Sequence, residues 1–147
     1  MNDIRIDEAV DAAELAVVDA GIDAFNAGAA PLYEVRALAR VARRDAEVIG
    51  GAVGRTWGSA CELQQLWVRA DCRGAGLGRR LLTAFEAAAA ARGCMMVSLE
   101  TFDFQAPDFY AAQGYTTVWR NTAYPHGIVK HHMAKALAAP AAVPPPL

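Results

Sequence analysis

Three glycines at alternate positions, Gly74, Gly76 and Gly78, are the residues whose type and spacing most directly indicate chemistry. They follow an apolar, partly β-branched run at residues 66–68 and lead into a helical pattern that begins near Leu77. Glycine permits positive φ and lets a ligand approach the backbone closely. Successive N–H groups in such a turn point into a concavity that suits an anion, and the following helix directs its positive end at the same place. The stretch therefore predicts a site for a phosphate-bearing ligand.

Positive side chains surround this turn, although the spacing alone does not name the anion. Arg73, Arg79 and Arg80 supply donors for further phosphate oxygens. The Gly-Lys-Ser/Thr ending of a P-loop is missing, and the glycine spacing differs from the dinucleotide-binding fingerprint. From spacing we predict an anion site, with pyrophosphate as one candidate occupant.

The segments around the turn predict a mixed sheet with helices. Three strands joined by short turns and ending at Val68 form an antiparallel meander. Glycines at 50, 51 and 54 within it predict a bulge or a close backbone approach. A crossover helix then leads to an apolar run ending at Leu99, so the strands that end at Val68 and Leu99 should be parallel. Predicted strands cover residues 4–6, 35–42, 47–57, 60–68, 94–99, 115–123 and 128–137, and predicted helices run from a cap at Asp7 or Asp11 to about 26, from 77 to 92 and from 108 to 113.

Length and composition limit the class of protein. A chain of 147 residues with 54% hydrophobic and 20% charged residues predicts one folded domain, which we place at residues 1–137. The alanine- and proline-rich segment 138–147 is predicted to be disordered. A formal charge of −2 gives no electrostatic support for a nucleic-acid partner, and no apolar run is long enough for a membrane span. Three cysteines without a CxxC spacing and the lack of a signal-peptide pattern favour a cytoplasmic protein.

The histidines do not predict a metal site. His131 and His132 are neighbours on a predicted strand, so their side chains point to opposite faces and cannot chelate one ion together. We therefore expect no metal.

Two motifs resemble those of a known family. Residues 73–78, Arg-Gly-Ala-Gly-Leu-Gly, match the Arg/Gln-x-x-Gly-x-Gly/Ala signature of the GNAT N-acetyltransferase superfamily. Residues 106–115 look like its second motif, Ala-x-x-Phe/Leu-Tyr-x-x-x-Gly-Phe/Tyr, in the right order and at the right separation. The resemblance is to the bacterial small-acetyltransferase type. It implies an α+β fold of three layers, α/β/α, whose mixed and largely antiparallel sheet contains a splayed parallel strand pair.

The resemblance also implies acetyl-CoA as co-substrate and a primary amine of a small molecule as acceptor. The pantetheine arm would lie against residues 66–68 as a pseudo-strand, and the turn would hold the pyrophosphate. Many relatives carry asparagine at the position of Asp103, where it contacts pantetheine, and here Gln105 is the favoured substitute because it is a neutral donor and acceptor. The implied cofactor contacts are Leu66, Trp67, Val68, Arg73, Gly74, Ala75, Gly76, Leu77, Gly78, Arg79, Gln105 and Tyr110.

Two residues are the catalytic candidates. Tyr110 matches the family tyrosine that protonates the departing thiolate, and the alternative is a helix residue that only packs on the sheet. Glu62 is the candidate base, directly or through water, and the alternative is a solvated strand glutamate. Simple alternation along the strand predicts that Glu62 faces the same side as Gln64, Leu66 and Val68.

The acceptor is less closely specified. Phe25, Asn26, Tyr33 and His126 are candidate acceptor contacts from the family layout. A protein N-terminus or lysine is the alternative acceptor, and a non-catalytic module that binds acetyl-CoA is the alternative from another class. Dimers are common in the family, so a homodimer is one expected arrangement.

Overall fold

The computed structural model describes residues 3–138. The predicted disordered tail lies outside the described residues from position 139 onward. The helices are α1 Ala12–Ala29, α2 Leu77–Ala91 and α3 Pro107–Ala112, and the strands are β1 Arg36–Arg44, β2 Glu47–Trp57, β3 Ala60–Val68, β4 Met96–Phe102, β5 Thr116–Asn121 and β6 Lys130–Ala136. Among these residues no helix is both long enough and apolar enough to cross a membrane.

The chain divides into two compact units, with the boundary between Glu34 and Val35. In the first unit, the Asp11 side chain accepts a hydrogen bond from the Glu14 N–H at 3.0 Å and so caps α1, as one of the two predicted caps. The predicted strand at residues 4–6 is wrong, because these residues have no regular secondary structure. A run of three alternating residues is too short to specify a strand by itself.

The second unit contains a six-stranded sheet in the order β1-β2-β3-β4-β6-β5. The β3–β4 pair is parallel and the other neighbouring pairs are antiparallel, which confirms the predicted mixed sheet. Helix α2 places its apolar stripe on this sheet, with Leu81, Leu82, Phe85 and Ala89 buried. The helix ends at Ala91, Arg92 is its C-cap, and Gly93 follows at φ 87, in agreement with the predicted C-terminal glycine.

A β-bulge at Gln64 interrupts β3. Gly54 of β2 pairs with Leu63, whereas the preceding Val53 pairs with Gln65, so Gln64 is the extra residue. Before the bulge Cys61 and Leu63 enter the core, and after it residues 66 and 68 pack against the same core cluster. The prediction that Glu62 shares a face with Leu66 and Val68 is therefore wrong, because a bulge reverses the alternation of side chains.

Strands β3 and β4 diverge soon after they meet. Their ladder consists of Ala60 with Met96, Cys61 with Val97 and Glu62 with Ser98. Beyond this point β3 continues along β2 to Val68, and β4 continues along β6 to Phe102. The divergence confirms the expected splayed pair and leaves part of the β3 edge without a ladder to β4.

Candidate active site

The glycine turn opens onto a cavity at the N-terminus of α2. Its volume is about 480 Å³. Gly74 has φ 84 and Gly76, the helix cap, has φ 79, so both adopt the left-handed conformation that favours glycine. The cavity is lined by Leu66, Val68, Cys72, Arg73, Gly74, Gly76, Leu77, Gly78, Arg79, Ala106 and Phe109.

The first turn of α2 is suited to an anion. The first helical hydrogen bond runs from the Arg80 N–H to the Gly76 carbonyl at 3.1 Å, and no side chain caps the helix. The N–H groups of residues 77–79 therefore have no acceptor within the helix. The first turn carries Arg79 and Arg80 and no acidic residue, although the positive end of a helix dipole favours negative charge. A bound anion would relieve this unfavourable arrangement.

Two arginines hold the loop that carries the glycines. Arg73 Nε donates to the Val68 carbonyl at 2.8 Å, so part of its guanidinium closes the loop onto the end of β3. Arg69 donates to both carboxylate oxygens of Asp71, at 2.6 and 3.0 Å, and to Glu47 at 2.6 Å. Sequence reasoning missed the Arg69 network, because Glu47 is 22 residues away in the chain.

The gap between β3 and β4 contains two further cavities. The first, of about 450 Å³, is lined by Gln64, Gln65, Leu66, Trp67, Glu100, Thr101, Gln105, Ala106 and Tyr110. It shares Leu66 and Ala106 with the cavity at the glycine turn. The second, of about 370 Å³, is lined by Glu62, Leu63, Gln64, Glu100, Thr101, Phe102, Gln105 and Lys130. Neighbouring cavities share lining residues, so the three follow one another along β3, and together they are called the path below.

Tyr110 lies at the middle of this path. Its side chain is 8% exposed, and burial raises the pKa of Tyr110 to about 12. No buried polar side-chain atom among the described residues lacks a hydrogen-bond partner. The Tyr110 hydroxyl makes no hydrogen bond to another described residue, so it is not completely buried, and Tyr110 is among the residues that line this cavity. A neutral phenol at this place can donate a proton to a bound ligand.

A partly buried polar cluster lies next to the Tyr110 ring. The Tyr115 ring packs edge-on against the Tyr110 ring with centroids 5.7 Å apart. The Tyr115 hydroxyl donates to Glu86 at 3.0 Å, and Lys135 Nζ donates to the other Glu86 oxygen at 3.0 Å. This network holds the Tyr115 hydroxyl, while the Tyr115 ring packs on the Tyr110 ring.

The sequence is also similar to that of a known protein family. The family model for the acetyltransferase (GNAT) domain matches residues 36–117. The chain belongs to the GNAT acetyltransferases. The matched region runs from β1 to the start of β5 and contains the glycine turn, the divergent strand pair and Tyr110.

The relatives of this N-acetyltransferase agree with that assignment. A blasticidin-S acetyltransferase from Streptomyces morookaense is 44% identical over 92 residues, which cover 62% of this chain and 68% of the relative. An acetyltransferase from Bacillus cereus has a TM-score of 0.76 at 25% identity, covering 90% of this chain and 98% of that chain. An aminoglycoside 6'-N-acetyltransferase complexed with coenzyme A has a TM-score of 0.62 at 22% identity, covering 71% and 75% of the two chains, and shows the same fold.

Glu62 of the acetyltransferase lies at the far end of the path. Arg55 contacts its Oε2 through Nε at 3.1 Å and Nη2 at 3.0 Å, across the β2–β3 pairing. The Glu62 side chain is 47% exposed. It lines the 370 Å³ cavity and not the cavity of Tyr110. The predicted acid and the predicted base therefore lie in adjacent cavities.

Gln105 and Asp103 differ in their access to the path. Gln105 Oε1 accepts from the Phe102 N–H at 2.8 Å and so holds the turn after β4. Gln105 also lines both cavities between β3 and β4, whereas Asp103 lines none of the three. This geometry favours Gln105 as the side chain that contacts a ligand in the gap.

The candidate acceptor contacts are distributed over both units. Asn26 and Tyr33 line a cavity of about 230 Å³ in the first unit, and Phe25 does not. His126 lies in an exposed turn at φ 60 and does not line the three cavities of the path. Their contact with an acceptor stays a prediction.

Sequence reasoning missed Glu100, Phe102 and Lys130 at the far end of the path, and Phe109 at its beginning. Phe109 belongs to the second motif, and this membership could have indicated that it lines the site. Glu100 and Lys130 stand on strands with no motif, and only the pairing of β4 with β6 brings them together.

Proposed function

We propose that this acetyltransferase transfers the acetyl group of acetyl-CoA to a primary amine of a small molecule, by direct attack of the amine on the thioester. The observation that carries the proposal is the order of the three cavities along β3. The path begins at the uncapped N-terminus of α2, follows the free edge of β3 and passes Tyr110. A ligand with a diphosphate, an extended arm and a reactive end matches these three parts in order.

The residues at the glycine turn fit the diphosphate. The N–H groups of residues 77–79 are donors without a helical acceptor, and Arg79 adds a charged donor beside them. The free edge of β3 beyond Glu62 can pair with the amides of the pantetheine arm. Ala75 is the one predicted cofactor contact in the turn that does not line the cavity.

The chemistry divides between the co-substrate and the chain. Acetyl-CoA supplies an activated acyl group and a thiolate leaving group. A backbone N–H near Val68 is proposed to polarise the acetyl carbonyl. Tyr110 is proposed to donate its proton to the leaving sulfur, for which its raised pKa of about 12 keeps it protonated at neutral pH. A carboxylate at the acceptor end removes a proton from the incoming ammonium, and Glu62 and Glu100 are the two that line it.

A small amine is the acceptor class that we favour. The two cavities between β3 and β4 measure about 450 and 370 Å³, within the usual range of small-molecule sites. The relative from Streptomyces morookaense is named for an antibiotic acceptor, and its identity to this chain is 44%.

A thiol-release assay tests the proposal. Purified protein is incubated with acetyl-CoA and a panel of blasticidin S, aminoglycosides, and peptides with a free N-terminus or lysine. We expect release of free thiol with at least one small amine and weaker release with the peptides. Acetyl-CoA binding in calorimetry without thiol release on any acceptor would instead favour a non-catalytic binding module.

A glycine substitution tests the donor site separately. Gly76→Ala should weaken acetyl-CoA binding by at least about tenfold, the equivalent of one lost hydrogen bond to a charged group. The reason is that a Cβ at φ 79 strains the turn that aims the N–H groups. Gly58→Ala is the matched control, because Gly58 also has positive φ, at 57, but lies in the β2–β3 hairpin. Calorimetric titration with acetyl-CoA should separate the two variants, and equal affinities would contradict the assignment.

A further inference from the structure

Glu100 is the carboxylate that lines the same cavity as the proposed acid. The 450 Å³ cavity lined by Tyr110 contains one carboxylate among its lining residues, and it belongs to Glu100. Glu100 also lines the 370 Å³ cavity, so it stands where the two meet. Glu62, which the strand pattern singled out, lines only the second of them.

Two residues of β6 hold the Glu100 carboxylate in place. Lys130 Nζ lies 2.8 Å from Oε2, and His132 Nδ1 lies 3.2 Å from Oε1. The His132 ring packs against Trp119 with centroids 4.6 Å apart, which fixes its own orientation. A carboxylate has about four lone-pair sites, so each oxygen can still accept another hydrogen bond. The side chain is 52% exposed and therefore reaches both the cavity and water.

The position of Glu100 along β4 follows from the divergence of the strands. Ser98 is the last β4 residue that pairs with β3, and Glu100 comes two residues later on the same face. In a continuous parallel sheet β3 would lie beside this residue. Here the gap leaves the carboxylate open to the path, in the part where the reactive end of an extended ligand would lie.

We propose that Glu100 takes the proton from the ammonium group of the acceptor, an inference that rests on the proposed function. The nitrogen–hydrogen bond breaks, the proton moves to a Glu100 oxygen, directly or through one water, and from there it passes to the solvent. The freed nitrogen forms a bond to the acetyl carbon, and the carbon–sulfur bond breaks with its electron pair going to sulfur. Tyr110 gives its proton to that sulfur and regains one from the nitrogen, so that amide, thiol and one solvent proton are the products.

The environments of the two groups set their charge states at neutral pH. The hydrogen bond from Lys130 lowers the pKa of Glu100, whereas burial raises the pKa of Tyr110. Carboxylate and phenol are thus both in the required form at neutral pH, the first as proton acceptor and the second as donor. Glu62 differs from Glu100 in two ways. Two nitrogens of Arg55 contact Oε2 of Glu62, and Tyr110 does not line the cavity that Glu62 lines.

The test compares Glu100→Gln with Glu62→Gln over a range of pH, using the small amine that the unaltered enzyme acetylates fastest in the panel. Glu100→Gln should lower kcat by about a hundredfold at neutral pH, a usual contribution of a general base. The loss should shrink by about tenfold for each pH unit up to the pKa of the acceptor amine, because free amine no longer needs a base. The charged and titratable groups that face Glu100 are Lys130, His132, Glu62 and Tyr110.

Two controls separate this role from a structural one. Acetyl-CoA affinity in calorimetry should change little in Glu100→Gln, since the cavity proposed for the diphosphate does not include this residue and the arm is proposed to pair with the backbone of β3. Asp108→Asn removes an exposed carboxylate from α3 and should leave kcat unchanged at every pH.

A loss in Glu100→Gln that is the same at every pH would overturn the inference, as would normal turnover of that variant. A pH-dependent loss in Glu62→Gln alone would assign the proton to Glu62. If the unaltered enzyme binds acetyl-CoA but acetylates no amine in the panel, the proposed function fails and this inference with it.

Discussion

Replacing Tyr110 with phenylalanine is expected to lower kcat by about a hundred- to a thousandfold, within the usual contribution of a general acid. The ring stays in place between Phe109 and Tyr115, and only the hydroxyl is removed. The KM for acetyl-CoA should change little, because the diphosphate and the arm bind elsewhere along the path. Steady-state kinetics with thiol detection measure both quantities. A kcat equal to that of the unaltered enzyme would remove Tyr110 from the mechanism.

Tyr115→Phe is the matched control for this substitution. The Tyr110 hydroxyl bonds to no other described residue, so Tyr110→Phe should leave the free energy of unfolding almost unchanged. The Tyr115 hydroxyl donates to Glu86 at 3.0 Å, and its loss should cost about 1–3 kcal/mol because a partly buried carboxylate oxygen loses a donor. Tyr110→Phe should therefore lose activity and keep its melting temperature, whereas Tyr115→Phe should keep its activity and have a lower melting temperature.

Replacing Gly54 with alanine is expected to destabilise the fold by more than about 3 kcal/mol, beyond the usual cost of overpacking. A Cβ at this position would lie 2.0 Å from the Glu62 carbonyl oxygen and 2.9 Å from Cζ of Phe85. Neither neighbour can move easily, because the first belongs to the backbone beside the bulge and the second is completely buried. A protein of this size has about 5–15 kcal/mol of stability, so the variant should be soluble only in part or unfold at low denaturant concentration.

Gly51→Ala on the same strand is the control for Gly54→Ala. Its Cβ would meet the Arg40 carbonyl oxygen at 3.4 Å and the Val41 side chain at 3.5 Å, which are ordinary contacts. We expect a change of less than about 1 kcal/mol for it, as for most substitutions without a special mechanism. Urea unfolding of both variants gives the comparison. Similar stability of the two would show that the bulge tolerates a methyl group next to Glu62.

Local patterns were sufficient for most elements of the second unit. The crossover from Val68 to Leu99 indicated a parallel pair, and the apolar stripe of α2 and its terminal glycine were readable from spacing. The glycines at 50, 51 and 54 indicated a bulge or a close approach, and the register confirms both at Gly54. Such features depend on neighbours in the chain and on the steric needs of single residues, so a sequence reveals them.

Features that depend on the pairing of distant strands were not readable. The alternation along β3 gave the wrong face for Glu62, because the register against β2, and not the pattern of β3 itself, decides where the bulge falls. Glu100 belongs to no motif. It lines the path because β3 diverges from β4, and Lys130 and His132 of β6 lie beside its carboxylate.

By itself the sequence determined the family and the glycine turn at the start of α2, and it singled out Tyr110 as the candidate acid. These follow from short motifs, because a phosphate needs backbone N–H groups that only a local turn can present together. The tertiary structure decided which carboxylate lines the same cavity as Tyr110. Glu100 and Tyr110 line one cavity because β4 ends in the turn that leads to α3 and because β3 diverges from β4, and both conditions depend on the register of the whole sheet.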